Sequence, residues 1–354
     1  MIQIDKNTSL RNYNSFHFDV LADYFVTIGS VEDMQQLIAD PIFLDNKKLI
    51  VGGGSNMLLT QDRFAGLVIH NHILGKEILH EDDTSVVVRV GAGEIWHDFV
   101  LWTVQQGWGG IENLALIPGS VGAAPMQNIG AYGVEVKDVV EFVEYIDLSD
   151  GSKHILDTDS CQFGYRDSIF KRDLKDKVFI THVVFRLHKI PDSRLQTIEQ
   201  PYQFNLDYKD IQQEIVARDL DREQISVADV ADMVTVIRRR KLPDWTQIGT
   251  AGSFFKNPMV DVATWQRLSV SMSDLQGYPL ADGRVKLSAG QLIELAGLKG
   301  IEKGPVGTYK NHALVLVHHG GGKGSDIVAL AKEIQDAVYA KFGVWLEPEV
   351  NYVE

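Results

Sequence analysis

The sequence predicts an α+β protein of more than one domain, on three observations. Strand signals, meaning β-branched and aromatic runs bounded by glycine, dominate before about residue 190. Helical periodicity dominates after it. The chain has 354 residues, beyond the ~250–300 at which a single core stops growing. Hydrophobic residues make up 45% and charged residues 23%, which excludes a disordered chain. The formal charge of −14 excludes a coat for nucleic acid or for an anionic membrane. The single cysteine, Cys161, excludes an internal disulfide and a cysteine zinc site, and it fits a reducing compartment. No basic-then-apolar leader opens the sequence, and no apolar run approaches the ~18 residues of a membrane span. A cytoplasmic protein without membrane insertion is expected.

The elements follow in order. Residues 24–28 read as a strand, and Ser30 with Asp33 caps a helix at 31–39. A strand at 48–51 stops at Gly52, Gly53 and Gly54, and another spans 86–90. A helix is predicted over 94–106, with Ile95, Phe99, Trp102 and Val104 facing the core and Gly107 ending it. Strands follow near 138–148 and 178–187, then helices at 210–219 and 226–240. Ser226 and Asp229 cap the latter; Leu242-Pro243 ends it and suggests a domain boundary near 240. Further helices are predicted at 288–296 and 325–342, the last capped by Ser325 and closed by Gly343, with an extended tail at 344–350.

Glycine is concentrated: 14 of the 31 lie in residues 52–133. That is about twice the usual ~7% usage. The known nucleotide loops do not fit. Gly52 and Gly54 begin a dinucleotide fingerprint, but Met57 takes its third glycine position; Trp96 does the same after Gly91-Ala92-Gly93. The run Gly320–Ser325 fails as a P-loop at Val317 and at Gly324. Bare backbone at 52–56 can cradle an anion, or it can simply be a tight turn. Residues 119–133 contain four glycines and three alanines, poor material for a strand or helix and suited to a large flat ligand.

Together, Gly52-Gly-Gly-Ser-Asn56 and Ile117-Pro-Gly-Ser-Val-Gly-Ala-Ala-Pro-Met-Gln-Asn-Ile-Gly-Ala-Tyr-Gly133 resemble the FAD-binding signatures of the UDP-N-acetylenolpyruvoylglucosamine reductase family. Tyr165-Arg166-Asp167-Ser168, Gly252-Ser253-Phe254-Phe255-Lys256-Asn257-Pro258 and Leu346-Glu347-Pro348-Glu349-Val350 match the same family in the same order. Residues 206–210 resemble the tyrosine loop of its longer, type I subgroup. The resemblance implies a vanillyl-alcohol-oxidase-type FAD-binding fold of two subdomains, 1–70 and 71–242, the second joined by the C-terminal strand 344–354. It implies a separate α+β substrate-binding domain at 243–343. It further implies non-covalent FAD, NADPH as co-substrate, and reduction of the enolpyruvyl ether of UDP-N-acetylglucosamine to UDP-N-acetylmuramate for peptidoglycan. NADPH and substrate would use one site in turn, in a monomer.

The implied site residues are specific. The cofactor would be held by Gly52, Gly53, Gly54, Ser55 and Asn56, by Pro118, Gly119, Ser120, Gly122 and Ala123, by Asn128, Gly130 and Ala131, and by Arg238. Hydride delivered to the terminal vinyl carbon builds charge on C2 and its carboxylate, so the site needs a cation there and an acid for C2. The family pattern gives Arg166 the first role, with Tyr165 beside it, and Ser253 the second. On sequence grounds Arg166 could equally form a surface pair with Asp167. Glu347 and Glu349 would share a strand face; the family favours Glu349, which would polarise the substrate carboxylate and, facing another carboxylate, titrate high. An extended 252–258 would put Ser253, Phe255 and Asn257 on one face. Tyr208 and Asn257 match diphosphate contacts and Lys241 a contact to the diphosphate or the NADPH, although Lys241 and its neighbours also suit a helix C-terminus. Lys299 is assigned to the uridine side, and His312 to the pocket lining or to a structural role, without a part in catalysis. No metal is expected, since the eleven histidines show no ligand spacing. The competing readings are a related FAD-dependent oxidase of an alcohol or hydroxy acid, and a non-catalytic nucleotide-sugar sensor.

Overall fold

The structure, a computed structural model, describes residues 2–190, 202–272 and 274–354. Its contacts divide the chain into two compact units, and neither is continuous in sequence. The first comprises residues 1–8, 22–53 and 65–238; the second comprises 9–21, 54–64 and 239–354.

The first unit holds two large sheets and a two-stranded pair, Gly130–Ala131 with Val134–Glu135. One runs in the order Ile4–Ser9, Leu21–Ile28, Arg63–Asn71, Lys48–Val51. Its last pair is parallel, with Ile50 opposite Ile69. The helix Val31–Ile38 crosses over between Leu21–Ile28 and Lys48–Val51, and Ser30 Oγ accepts from Asp33 N at 3.1 Å as the capping pattern requires. Met34 and Leu37 bury its inner face with Val26, Ile28, Leu67 and Ile69. The other sheet is antiparallel, in the order Lys153–Asp157, Val140–Asp147, Val178–Lys189, Ser85–Gly91, Lys76–Glu81, with Trp108–Gly109 also on Val178–Lys189.

Helix Trp96–Gln105 packs on that sheet through Phe99, whose ring lies 5.0 Å from Phe185. The helix begins two residues later than expected. Ile95 therefore stands outside it, 58% exposed, and Trp96 fills the core instead. Helices Lys209–Ala217 and Val227–Lys241 add Ile211, Ile215, Val230, Val234 and Ile237 to the same core.

The second unit is built on an antiparallel sheet, Gly249–Ser253, His312–His318, Val306–Tyr309, Glu302–Lys303. It includes the helices Ala289–Leu295 and Gly324–Phe342. The latter starts one residue early: Lys323 is its N-cap and Asp326 Oδ2 accepts from Lys323 N, so Ser325 is not the cap. Gly343 ends it at φ +69°, as expected.

The expected three-part division is not how contacts cluster. The C-terminal strand Asn351–Val353 was expected with residues 71–242. It pairs instead in parallel with Met57–Leu59, and both lie in the second unit. Segments 9–21 and 54–64 leave their sequence neighbours for this unit, a non-local exchange that no local pattern announces. Among the described residues no helix is long and apolar enough to cross a membrane.

Two buried groups give checks on this packing. Cys161 is fully buried, and burial followed by the Asp157 charge pushes its thiol up to about 12. The native protein should therefore resist iodoacetamide at pH 8 and label only after denaturation; native labelling would contradict this burial. His318 Nδ1 donates to Phe16 O at 2.8 Å while Nε2 accepts from Gly322 N at 3.1 Å, which fixes a neutral imidazole. Burial lowers its pKa below 6.5, with the Phe16 contact opposing. The unfolded chain thus takes the proton first, so the stabilisation is complete above that value and declines as pH falls below it. The thermal midpoint should fall less between pH 7.5 and 5.5 in His318→Gln than in the parent, and equal slopes would refute the assignment.

Candidate active site

In the first unit two glycine segments meet backbone to backbone. Strand Lys48–Val51 ends at Gly52 and Gly53. A Cβ on Gly53 would lie 2.9 Å from Gly119 Cα, and one on Gly52 would collide with Ser120 Oγ. Gly119 has φ +117°, where an L side chain is strained. The second segment is held in place by Gly122 N donating to Ala92 O and Val121 N to Glu94 O, both at 2.8 Å, and by Trp96 N donating to Gly119 O at 3.0 Å. The residues present fit FAD: in the first unit Gly52, Gly53 and the segment Pro118–Ala123 present nothing larger than a proline, serine or valine side chain, and any Cβ at 52 or 53 would break the contact that shapes the surface. The rest of the first loop belongs to the second unit. There Ser15 N donates to Gly54 O at 3.1 Å, and Asn351 N donates to Asn56 O at 3.1 Å.

The segment continues through Asn128, which is fully buried at φ +46°. Its amide nitrogen donates to Glu135 Oε2 at 2.9 Å and to Gly164 O at 3.1 Å, and its oxygen accepts from Lys137 N at 3.1 Å. Asn128 was expected as a cofactor contact; its side chain instead ties residues 128–137 to the turn at 164–167. Ser168 Oγ adds a bond to Met126 O at 2.7 Å. Arg166 sits in that turn at φ +55° and donates through Nη2 to Gly130 O at 3.0 Å. Its guanidinium carbon lies 5.6 Å from the Tyr165 ring centroid. The surface-pair alternative loses its partner, because Asp167 pairs with Arg172.

Left-handed backbone concentrates here. Leu116, Asn128, Tyr132 and Arg166 have φ of +57°, +46°, +49° and +55°, four of the nine such non-glycine residues described. Each costs on the order of 1–3 kcal/mol unless its surroundings fix it, and such residues mark functional sites. Arg238 supports Leu116 by donating from Nε to its carbonyl at 3.3 Å. Burial pushes the Arg238 pKa down, the Tyr132 hydroxyl opposes that, and the nearby Arg166 charge adds to it. Burial raises the Tyr132 phenol while Arg238 pulls it back. Tyr132 was not foreseen as a site residue; the only signal was an aromatic residue set between Gly130-Ala131 and Gly133. The Tyr208 ring meets it edge to face, centroids 5.1 Å apart.

The second unit carries the other expected residues. Ser253 ends strand Gly249–Ser253, opposite Val315 and exposed, after a bulge and a left-handed Gly252 at φ +71°. Strand alternation does not continue as predicted: Phe254 and Phe255 are both buried, so Phe255 does not share the exposed face of Ser253. Residues 254–256 run antiparallel to 347–349. Glu349 N donates to Phe254 O at 2.8 Å, and Lys256 N donates to Glu347 O at 2.9 Å, around a Phe255–Pro348 bridge. The surroundings of the two carboxylates differ. Glu347 is exposed and ion-paired with Lys256, whereas Glu349 is partly buried and lies across from the residue after Ser253. Asn257 Oδ1 accepts from Ala289 N at 3.0 Å, at the start of helix Ala289–Leu295. Lys241 is the last residue of its helix. Lys299 pairs with Glu294 at 2.9 Å, a surface contact that lends its uridine role no support. His312 opens the strand His312–His318 near Gly290.

Comparison with known proteins assigns this arrangement. Residues 22–157 match the profile described as an FAD binding domain. Residues 244–353 match the C-terminal domain of UDP-N-acetylenolpyruvoylglucosamine reductase. Curated proteins of that name are similar over nearly the whole chain. The one from Azoarcus sp. (strain BH72) is 44% identical over 99% of this chain and 98% of its own. The one from Flavobacterium johnsoniae is 41% identical over 99% and 100%. The one from Burkholderia mallei is 45% identical over 96% and 95%. The crystal structure of the Thermus caldophilus reductase shares the fold over 100% of both chains, with a TM-score of 0.68 at 22% identity. The chain therefore belongs to the UDP-N-acetylenolpyruvoylglucosamine reductase family, with an FAD-binding domain followed by that family's C-terminal domain.

Proposed function

We propose that this chain reduces the enolpyruvyl ether of UDP-N-acetylglucosamine to UDP-N-acetylmuramate, with NADPH as co-substrate, as a step of peptidoglycan precursor synthesis in the cytoplasm. The observation that carries the reading at residue level is the Arg166 turn. A left-handed arginine is anchored by Nη2 to Gly130 O, within the electrostatic reach of Arg238, while Asp167 is taken by Arg172.

Bound FAD would supply the hydride, held by Gly52, Gly53 and the 118–123 segment of the first unit. Arg166 would grip the substrate carboxylate, where charge builds as the vinyl carbon is reduced. Ser253, exposed at its strand end, would give its hydroxyl proton to C2. Glu349, rather than the surface-paired Glu347, would act on the same carboxylate. Tyr208, Lys241 and Asn257 would hold the diphosphate.

Purified protein should be yellow, release FAD on acid treatment, and turn NADPH over continuously only when the enolpyruvyl nucleotide sugar is present to reoxidise the flavin. Ser253→Ala should keep flavin reduction by NADPH and slow flavin reoxidation by substrate by about 10²–10⁴-fold, the usual share of a general acid. Two normal half-reactions would remove Ser253 from the mechanism. Arg166→Lys keeps the charge but loses the fork geometry, so kcat should fall by roughly 10²-fold. Unchanged kcat would refute the carboxylate assignment.

A further inference from the structure

We propose that Asn56 is a positioning residue for Glu349: its side chain ties the strand that carries the carboxylate to the first glycine loop. The proposal deepens the function above and rests on Glu349 as the group that acts on the substrate carboxylate. Asn56, Glu349 and the residues that link them lie in the second unit.

Asn56 was expected to touch the cofactor, yet its side chain has a protein partner. Asn56 Nδ2 donates to Glu349 O at 3.4 Å. The acceptor is a carbonyl, so only the nitrogen of the amide can meet it. The link is reciprocal. Asn351 donates to Asn56 O from its backbone N at 3.1 Å and from its side-chain Nδ2 at 3.0 Å. These bonds open the parallel pair that sets Asn351 beside Met57 and Val353 beside Leu59. Thr60 closes the pair, its N and Oγ1 donating to Val353 O at 2.9 and 3.0 Å. The loop is also held from its other end: a Cβ on Gly54 would strike Tyr13 O, and Ser15 N donates to Gly54 O at 3.1 Å. Asn56 therefore reaches Glu349 from a fixed base.

The consequence is geometric. The chain leading to Glu349 is bonded peptide by peptide. Gln335 Nε2 donates to Leu346 O at 2.8 Å, Lys256 N to Glu347 O at 2.9 Å, and Glu349 N to Phe254 O at 2.8 Å. Leu346 and Val350, on either side, are buried. The Asn56 bond takes the next carbonyl, so both peptides of Glu349 are oriented, one by the residue after Ser253 and the other by the glycine loop. With its N–H and its C=O both held, the Glu349 backbone sets the direction in which the side chain leaves. Orientation of this kind contributes to rate only in a step that uses the carboxylate. Reduction of the flavin by NADPH does not use it, so the effect belongs to the step in which substrate reoxidises the flavin.

The test is Asn56→Ala in the FAD-loaded protein, read by hydrogen exchange and by the two half-reactions. Exchange of amides 349–351 should accelerate by about tenfold, and reoxidation of the reduced flavin by the nucleotide sugar should slow by about tenfold, the size expected for one lost hydrogen bond. Flavin reduction by NADPH and FAD content should hold. Asn56→Asp, which keeps the volume and loses the donor, should give the same split and replaces the alanine variant if that one does not fold. In a Glu349→Gln background the same change should alter reoxidation less than about twofold, since its effect runs through the carboxylate. Unchanged exchange overturns the link. Loss of FAD overturns it too, because the side chain would then serve the cofactor. Accelerated exchange with normal reoxidation, equal slowing of both half-reactions, or independent effects in the double variant overturns the positioning role. If Glu349→Gln alone leaves reoxidation unchanged, the fault lies with the role given to Glu349 in the function above.

Discussion

The site of the first unit depends on one buried amide. Asn128 joins the glycine-rich segment to the turn that carries Arg166, because its two protons go to two different stretches of chain and its oxygen to a third group. The left-handed backbone at Asn128 is what aims the amide that way, and asparagine is among the residues that tolerate it. Besides the bond to Gly164 O, Ser168 Oγ to Met126 O and Arg166 to Gly130 O link the Arg166 turn to the segment. Both of those bonds presuppose that the segment and the turn already lie side by side. The same amide therefore orders the segment expected to face the flavin and the arginine expected to grip the substrate.

A second constraint is the absence of side chains. At Gly52, Gly53, Gly122 and Gly133 a Cβ would strike a neighbouring residue, so each glycine is set by contact. Close approach explains why residues 119–133 form short turns rather than a strand or helix. It also explains how a chain rich in conformational freedom becomes ordered here: the freedom is removed by bonds from 92–96 and 113 rather than by local propensity.

Much of the fold was legible because its signals are local. Ser30 and Ser226 cap helices within a residue of the expected start, and Gly343 ends one, since a cap needs only its own first turn. Two edge strands of the antiparallel sheet were not legible. Lys76–Glu81 is exposed at every position and Lys153–Asp157 at all but one, so neither shows the alternation that marks a half-buried strand. The site divides the same way. Glycines, Arg166 and the Ser253 motif stand out in sequence. Tyr132 does not, nor does the link from Asn56 to Glu349, a bond across 293 residues. Glu347 and Glu349 share a local pattern; the ion pair of Glu347 with Lys256 and the difference in burial distinguish them.

The overall charge of −14 is the wrong scale for judging ligands. Charges separated by more than ~8–10 Å are largely screened at physiological salt. What an anionic ligand meets is set by its near neighbours. In the first unit Arg166 and Arg238 lie close enough for one charge to depress the proton affinity of the other, with burial the larger cause and the Tyr132 hydroxyl as partial relief. Two partly desolvated guanidiniums repel each other, and an anion placed near both removes that cost. In sequence the stretch 236–257 carries five basic residues and one acid, against the trend of the chain. An acidic protein can thus bind diphosphate compounds without attracting long polyanions, because the former sample a few side chains and the latter sample the whole field.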